Sequence, residues 1–437
     1  MHLFDRKTTS LLLLFCLPLL FFPKINLLKF SEKETAGIRL DDVVLLATFF
    51  LLFWARFSLK HTLCQFEKWL LTVVGFSLFS FFCNRFLVFA GNLHVHSKIF
   101  YCVRILEYAT FFYIGCFAYN LLSERKIIYG FLVWNLAIMA MQKVGLIGGF
   151  SSSGYGETSY RVTGIASFPS EIGAILNLLF AYLIFDESTN KGIPLVVSRW
   201  VKLLYHKCAL FAQFVIFAVF IIFSGSRIAL AALLVPFLFK LKNMISFKSV
   251  IIIASFLGSL SIGMAYLVVH TEGLRSDGLL SYKNIEIVKQ VWEEIDVRSE
   301  PEIKKLETEE KFDQSWWMRM HKWCYALKIY LATPSCYLQG IGPGFAFPAL
   351  DGGFLRILTE NGLIGAYLYA RFFISIGKQS KQLTWMVIVF MINMLFFDVY
   401  LAYKPMILLF LVSGYAYARS EEQQPLNFKP KEIQALN

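Results

Sequence analysis

About twelve apolar runs, each long enough to cross a lipid bilayer once tilt and breaks are allowed for, follow one another along this chain. They fall near residues 9–23, 41–57, 69–90, 99–122, 128–147, 165–185, 208–223, 227–239, 249–269, 362–377, 383–399 and 405–418. A soluble core has no room for so many. The charge content agrees, because 16% of residues are charged where soluble domains carry about 25%. With 45 Phe and a mean hydropathy of +0.58, the sequence reads as an all-α polytopic membrane protein of about 12 transmembrane helices. Arg6 and Lys7 precede the first run, but no small-x-small site follows it, so it reads as an uncleaved first helix. Only Ser224-Gly225-Ser226 joins the runs at 208–223 and 227–239, which makes them a hairpin turning at the interface.

The net charge of +12 fits the positive-inside bias better than a nucleic-acid partner. With the N-terminus inside, the inner segments hold nineteen Lys and Arg and the short outer segments nine. This places both termini in the cytoplasm and divides the chain into four parts. Residues 1–269 hold helices one to nine, and 270–361 form one large outer loop. Residues 362–418 hold helices ten to twelve, and 419–437 are a cytoplasmic tail. From Lys283 to Asp313 the loop is rich in Glu and Lys, as in a solvated helix or two interrupted at Pro301. No internal repeat and no Cys/His zinc spacing occurs. Cys324 and Cys336 share the outer loop, where a disulfide and two free buried thiols are both compatible with the sequence.

The candidate site residues are charges set beside helix starts. Arg161 precedes Ser167-Phe168-Pro169-Ser170-Glu171, where proline marks a helix start. Free N–H groups and the dipole there favour anions, and a forked guanidinium adds donors for phosphate. Arg227 repeats the pattern after Ser224-Gly225-Ser226. Both arginines also suit lipid headgroups. Arg319 shares an aromatic helix face with Trp316 and Trp323, in a helix that also carries Met320, Leu327 and Tyr330 and stops at Pro334. Cation–π packing explains it as well as phosphate does. Asp351, beyond the glycine-rich turn Gly340-Ile-Gly342-Pro-Gly344, suits a general base or the N-cap of a helix over Phe354–Glu360. His321 and the pair His94-x-His96 are competing bases or metal ligands. Arg104 and Glu107, at i and i+3, read as an internal ion pair.

Together these pieces resemble the O-antigen polymerase (Wzy) and O-antigen ligase superfamily. The likeness rests on Arg161-x-x-Gly164 with Phe168-Pro169-Ser170, on Ser224-Gly225-Ser226-Arg227, and on Arg319-x-x-x-Trp323 followed by Gly340-Ile-Gly342-Pro-Gly344 and Asp351. It runs from about residue 155 to 415. Upstream it extends only to hydropathy and to Arg39-Leu-Asp41-Asp42 at the opening of the second run. Ligases carry a histidine, a small polar residue, nine residues and Gly-x-x-Gly. Here Asp351-Gly352, nine residues and Gly362-Leu363-Ile364-Gly365 keep that spacing. Aspartate in place of the histidine looks more like a polymerase.

The resemblance implies a metal-independent membrane glycosyltransferase of GT-C type with no cofactor. It would act on the periplasmic face of the inner membrane, in lipopolysaccharide biosynthesis. The donor would be an undecaprenyl-diphosphate-linked oligosaccharide and the acceptor a sugar hydroxyl on a second lipid-linked unit, with a chain-length regulator as partner. Arg161, Arg227 and Arg319, with Gly342 and Gly344, would bind the diphosphate and glycan. Arg227, Arg319 and Asp351 would form the catalytic set. The rivals are a ligase acting on lipid A core and a non-enzymatic lipid-linked oligosaccharide transporter. A transporter should show repeated halves and broken helices. The topology is directly testable: an alkaline phosphatase reporter fused at residue 275 should be active, and one fused after Arg419 inactive. The opposite pattern would invert the orientation.

Overall fold

The computed structural model describes residues 16–23, 26–29, 37–58, 62–150, 161–186, 199–242, 282–298 and 314–423. The expected span at 249–269, the break at Pro301 and the loop 151–160 lie outside them. The described chain is helical apart from one short antiparallel ribbon, β1 (Asn26–Lys29) with β2 (Gly37–Arg39). The purely α expectation misses this ribbon because the segment between the first two apolar runs has no helical periodicity. The helices are α1 (Pro18–Phe21), α2 (Leu40–Ser58), α3 (Gln65–Phe89), α4 (Phe100–Ala118), α5 (Glu124–Lys143), α6 (Pro169–Ile184), α7 (Arg199–Ser224) and α8 (Arg227–Lys242). After these come α9 (Tyr282–Glu294), α10 (Gln314–Ala332), α11 (Gly353–Gly377), α12 (Lys381–Asn393) and α13 (Tyr403–Gln423). Among the described residues, α3 and α4 are long and apolar enough to cross a membrane, and α6 and the Cys208–Ser224 part of α7 are shorter apolar helices.

Burial sorts these helices into a centre and a rim. From Ile172 to Ile184 α6 is buried throughout, as are Tyr108–Cys116 of α4 and Tyr403–Tyr415 of α13. Helices this apolar on all sides belong inside a bundle. Gly115 of α4 and Gly414 of α13 let the two backbones touch. A Cβ on Gly414 would lie 2.0 Å from the Phe112 carbonyl oxygen. The rim helices face outward with large apolar groups: Phe79, Phe82 and Phe86 on α3, Val133 and Trp134 on α5, Val215 and Ile216 on α7, and Leu363 and Tyr367 on α11.

Backbone bonds tie connecting segments to one another, as Lys98 N–H to the Pro343 carbonyl and Val162 N–H to the Phe223 carbonyl do. The 90–99, 144–150, 161–168, 224–226, 333–352 and 394–402 segments gather at one end. There α10 and the 337–350 loop form a second core around Tyr325, Ile329, Cys336, Ile341 and Phe347, closed by Leu93 and Val95. At the other end Arg125 pairs with Asp186 at 2.9 Å and Arg419 pairs with Glu124. Lys404, fully buried, donates from Nζ to the Leu19 and Leu20 carbonyls at the end of α1, where a cation suits the helix dipole.

The boundary expected at 361/362 falls inside α11, which is broken at Gly362 (φ 65°, ψ −170°). Four of its freed groups are taken up by backbone. Leu363 and Ile364 donate to the Tyr337 and Leu338 carbonyls, and Ile341 and Gly342 donate to the Thr359 and Glu360 carbonyls. Ser80 of α3 adds a bond to the Glu360 carbonyl, and Ser77 one to Asn361. A buried helix break needs such partners. A Cβ on Gly362 would lie 2.4 Å from the Leu338 oxygen. Gly362→Ala should therefore cost at least about 1–3 kcal/mol, read as a clear drop in Tm of the detergent-purified protein. Gly75→Ala, where a Cβ meets nothing within 4 Å, should leave Tm unchanged or slightly raised.

Candidate active site

The most buried ionic group at the loop-rich end is Arg356, fully enclosed in the first turn of α11. Its Nε donates to Glu360 Oε1 at 2.9 Å, one turn on, and its Nη1 to Asp398 Oδ2 at 2.8 Å. Nη1 and Nη2 also reach the Pro348 and Phe347 carbonyls. The guanidinium lies over the Tyr101 ring at 4.8 Å. Asp398 uses its remaining acceptor capacity on the backbone. Leu350 and Gly352 N–H donate to it at 2.7 and 3.0 Å, and Asp351 N–H at 3.3 Å. One ion pair thus fixes the loop from Phe347 to Gly352 on the start of α11.

That loop presents Asp351. Its backbone is left-handed (φ 60°), a strained state for a non-glycine residue. Its carboxylate does not cap α11. The N-cap residue is Gly352, and Asp351 instead pairs with Lys322 Nζ of α10 at 3.1 Å, both groups being partly exposed. No side chain caps α11, and Asp398, remote in sequence, binds the N–H groups of the turn that leads into it. Trp323 packs against Gly352 and donates from Nε1 to the Leu350 carbonyl at 3.0 Å. Trp316 meets Trp323 edge-on at 6.3 Å, as the shared aromatic face requires. Arg319 lies between them in sequence, one turn from Lys322 and Trp323. Nε of Arg319 and Nε1 of Trp316 are buried with no acceptor among the described residues. The helix thus holds two desolvated donors beside the loop that presents Asp351.

Arg161 and the Ser224–Arg227 turn, separate in sequence, come together. Val162 N–H donates to the Phe223 carbonyl, and the Arg161 side chain lies across Gly225. A Cβ there would be 3.0 Å from Arg161 Nε. Arg161 and Arg227 are both exposed. The serines turn inward: Ser224 is fully buried and its Oγ donates to Ile221 O and accepts from Ser226 N–H. The Ser224 hydroxyl therefore closes the hairpin turn, and the two arginines lie outside it. The start of α6 is not an open anion site. Glu171 in its first turn accepts from Ser167 N–H and Lys404 N–H.

The 394–404 segment links these two groups, since it carries Asp398 toward Asp351 and Lys404 toward Glu171. Gly342 and Gly344 are packing positions, where a Cβ would strike Asn84 and Ser97 or the Tyr101 ring. His321 is buried edge-on to Trp317 at 4.5 Å. His94 and His96 are exposed, and His96 Nδ1 meets Arg85 Nη1 at 2.9 Å. Arg104 lies over Tyr101 at 5.7 Å and Glu107 is buried. Cys324 and Cys336 are free, buried thiols, each pushed above the usual range by burial. Arg356, Glu360, Lys322 and Asp398 were not singled out by sequence reasoning. The i, i+4 spacing of Arg356 and Glu360 just before an apolar run was the available signal.

Compared with known protein families and with curated proteins, the chain matches none. Removing one partner of a buried ion pair costs about 3–5 kcal/mol. Asp398→Ala should therefore lower Tm sharply. Asp398→Asn, which keeps one acceptor oxygen, should lower it less. Equal Tm values for wild type and Asp398→Ala would show that the pair does not hold the loop.

Proposed function

We propose that this chain is a polytopic inner-membrane glycosyltransferase of GT-C type, and that it acts as a polysaccharide polymerase. It would transfer an oligosaccharide from undecaprenyl diphosphate to a sugar hydroxyl of a second lipid-linked unit. The observation that carries the reading is the meeting of Arg161 with the Gly225 turn, at the same end of the bundle as Arg319, Lys322 and Asp351. The membrane reading draws support from the apolar rim, since contiguous exposed apolar surface of this kind needs a covering phase. In this reading the loop-rich end is periplasmic and the end bearing Arg125 and Arg419 is cytoplasmic.

A departing diphosphate gains negative charge. Fixed donors held in place before the reaction stabilise that charge without reorganising. Arg161 and Arg227 are the exposed pair suited to it, and the buried Nε of Arg319 is a donor free to take an oxygen acceptor. Asp351, held by Lys322 and by its loop, accepts the hydrogen bond of the incoming hydroxyl and orients or deprotonates it, a role worth about 10²–10⁴ in rate. Aspartate where ligases carry histidine favours the polymerase over the ligase. The break at Gly362 is filled by backbone from residues 337–342, unlike the cavity-lining breaks of transporters.

The phenotype of a deletion strain separates these readings. A polymerase leaves lipopolysaccharide capped with a single repeat, a ligase leaves accumulated lipid-linked polymer, and a transporter leaves lipid-linked units on the cytoplasmic face. Arg227→Ala and Arg319→Ala should each abolish long chains at normal protein level, so wild-type ladders from both would sink the assignment. Asp351→Ala should lose activity. Full activity in both Asp351→Asn and Asp351→Ala would leave that residue a structural part of the turn.

A further inference from the structure

At the opposite end of the bundle, a pocket of about 260 Å³ opens between the start of α3 and the end of α11. Gln65, Trp69, Arg371, Ile374, Lys378 and Gln379 line it. The Arg371 guanidinium lies 5.3 Å from the Trp69 ring and 5.9 Å from that of Tyr367, one turn earlier on α11. Arg371 and Lys378 are both exposed, and neither has a carboxylate partner among the described residues. At the same end Arg125 and Arg419, by contrast, are paired with acids.

Arg371 stands six residues before the end of α11, which is about 9 Å along the helix. In a bilayer that depth lets the long guanidinium side chain reach the headgroup level, where lipid phosphate lies. Trp69 and Tyr367 are the amphipathic ring types found at the level of lipid headgroups. Ile374 stands exposed between the two cations, and beyond Arg371 the outer face of α11 continues with exposed Tyr367 and Ile364. The pocket thus offers a forked donor, a second cation and an apolar track in one line. Phosphate with acyl chains attached matches that order, and a free anion uses only its polar end.

We infer that this pocket binds an anionic phospholipid of the cytoplasmic leaflet, with its phosphate between Arg371 and Lys378 and its acyl chains along α11. The inference rests on the membrane reading above but not on the transferase activity. The lipid braces the two helices that Ser77 and Ser80 join near the other end.

The test is native mass spectrometry of the full-length, detergent-purified protein titrated separately with phosphatidylglycerol and phosphatidylcholine. One phosphatidylglycerol should bind ahead of the rest, more tightly than phosphatidylcholine. In R371Q/K378Q that first site should weaken by about tenfold or more, the scale of losing two basic contacts at an anionic surface, with phosphatidylcholine binding unchanged. Lys378→Glu, at an exposed position, should weaken it too and guards against a double variant that fails to fold. Unchanged phosphatidylglycerol binding in both folded variants would overturn the inference. So would displacement of the lipid by millimolar inorganic phosphate, which would mark a free-phosphate site. Extraction of the protein from membranes by alkaline carbonate would instead overturn the membrane reading beneath it, and the polymerase reading is judged separately by its ladders.

Discussion

The ion pair between Arg356 and Asp398 is the contact on which the loop-rich end depends. A buried guanidinium is tolerable only when it is paired and its donors are used. Arg356 meets both conditions with two carboxylates, two backbone carbonyls and an aromatic face. In return Asp398 draws in three successive N–H groups of the 350–352 turn. Arg356 belongs to α11, Asp398 to the link between α12 and α13, and Tyr101 to α4, so the pair and the ring beside it join two helices and one link to a single loop. Asp351 stands at the tip of that loop in a strained conformation, held because everything around it is fixed.

Two groups of candidate residues lie at this end of the bundle. Arg161 and Arg227 come from the 161–168 segment and the α7–α8 hairpin. Asp351, Lys322 and Arg319 come from α10 and the loop after it. The break in α11 at Gly362 serves the second group, because it lets residues 337–342 pair with the broken helix as a strand would. That pairing seats α10 and its aromatic face against the bundle. The glycines at 340, 342 and 344 therefore act by close packing. Carbohydrate or phosphate contact, if the function is as proposed, falls to the side chains around them.

Much of the helical frame was legible because apolar runs have a length and a period that sequence displays directly. The runs at 41–57, 69–90, 99–122, 128–147, 165–185, 227–239 and 405–418 match described helices to within about five residues at each end, whereas α7 and α11 begin nine residues early and only Pro18–Phe21 of the first run is described as helix. A further departure is α12, which stops at Asn393 although the apolar run continues to Val399. The turn that follows exists to deliver Asp398, and no local pattern announces it. The same reason explains the site. Arg161, Arg227, Arg319 and Asp351 stood out as charges next to helix starts and glycines. Asp398 did not, since its partners lie more than forty residues away. In the Ser224–Arg227 turn the serines are buried and the long arginine lies outside, as a tight turn between packed helices requires.

The central claim is that the loop-rich end transfers lipid-linked glycan. It is tested most directly by reconstituting the purified protein in liposomes with an undecaprenyl-diphosphate-linked repeat unit and resolving the products by size. The account predicts a ladder of longer lipid-linked oligosaccharides with release of undecaprenyl diphosphate, absent with Arg319→Ala. Recovery of the lipid-linked unit unchanged by the wild-type protein would contradict it.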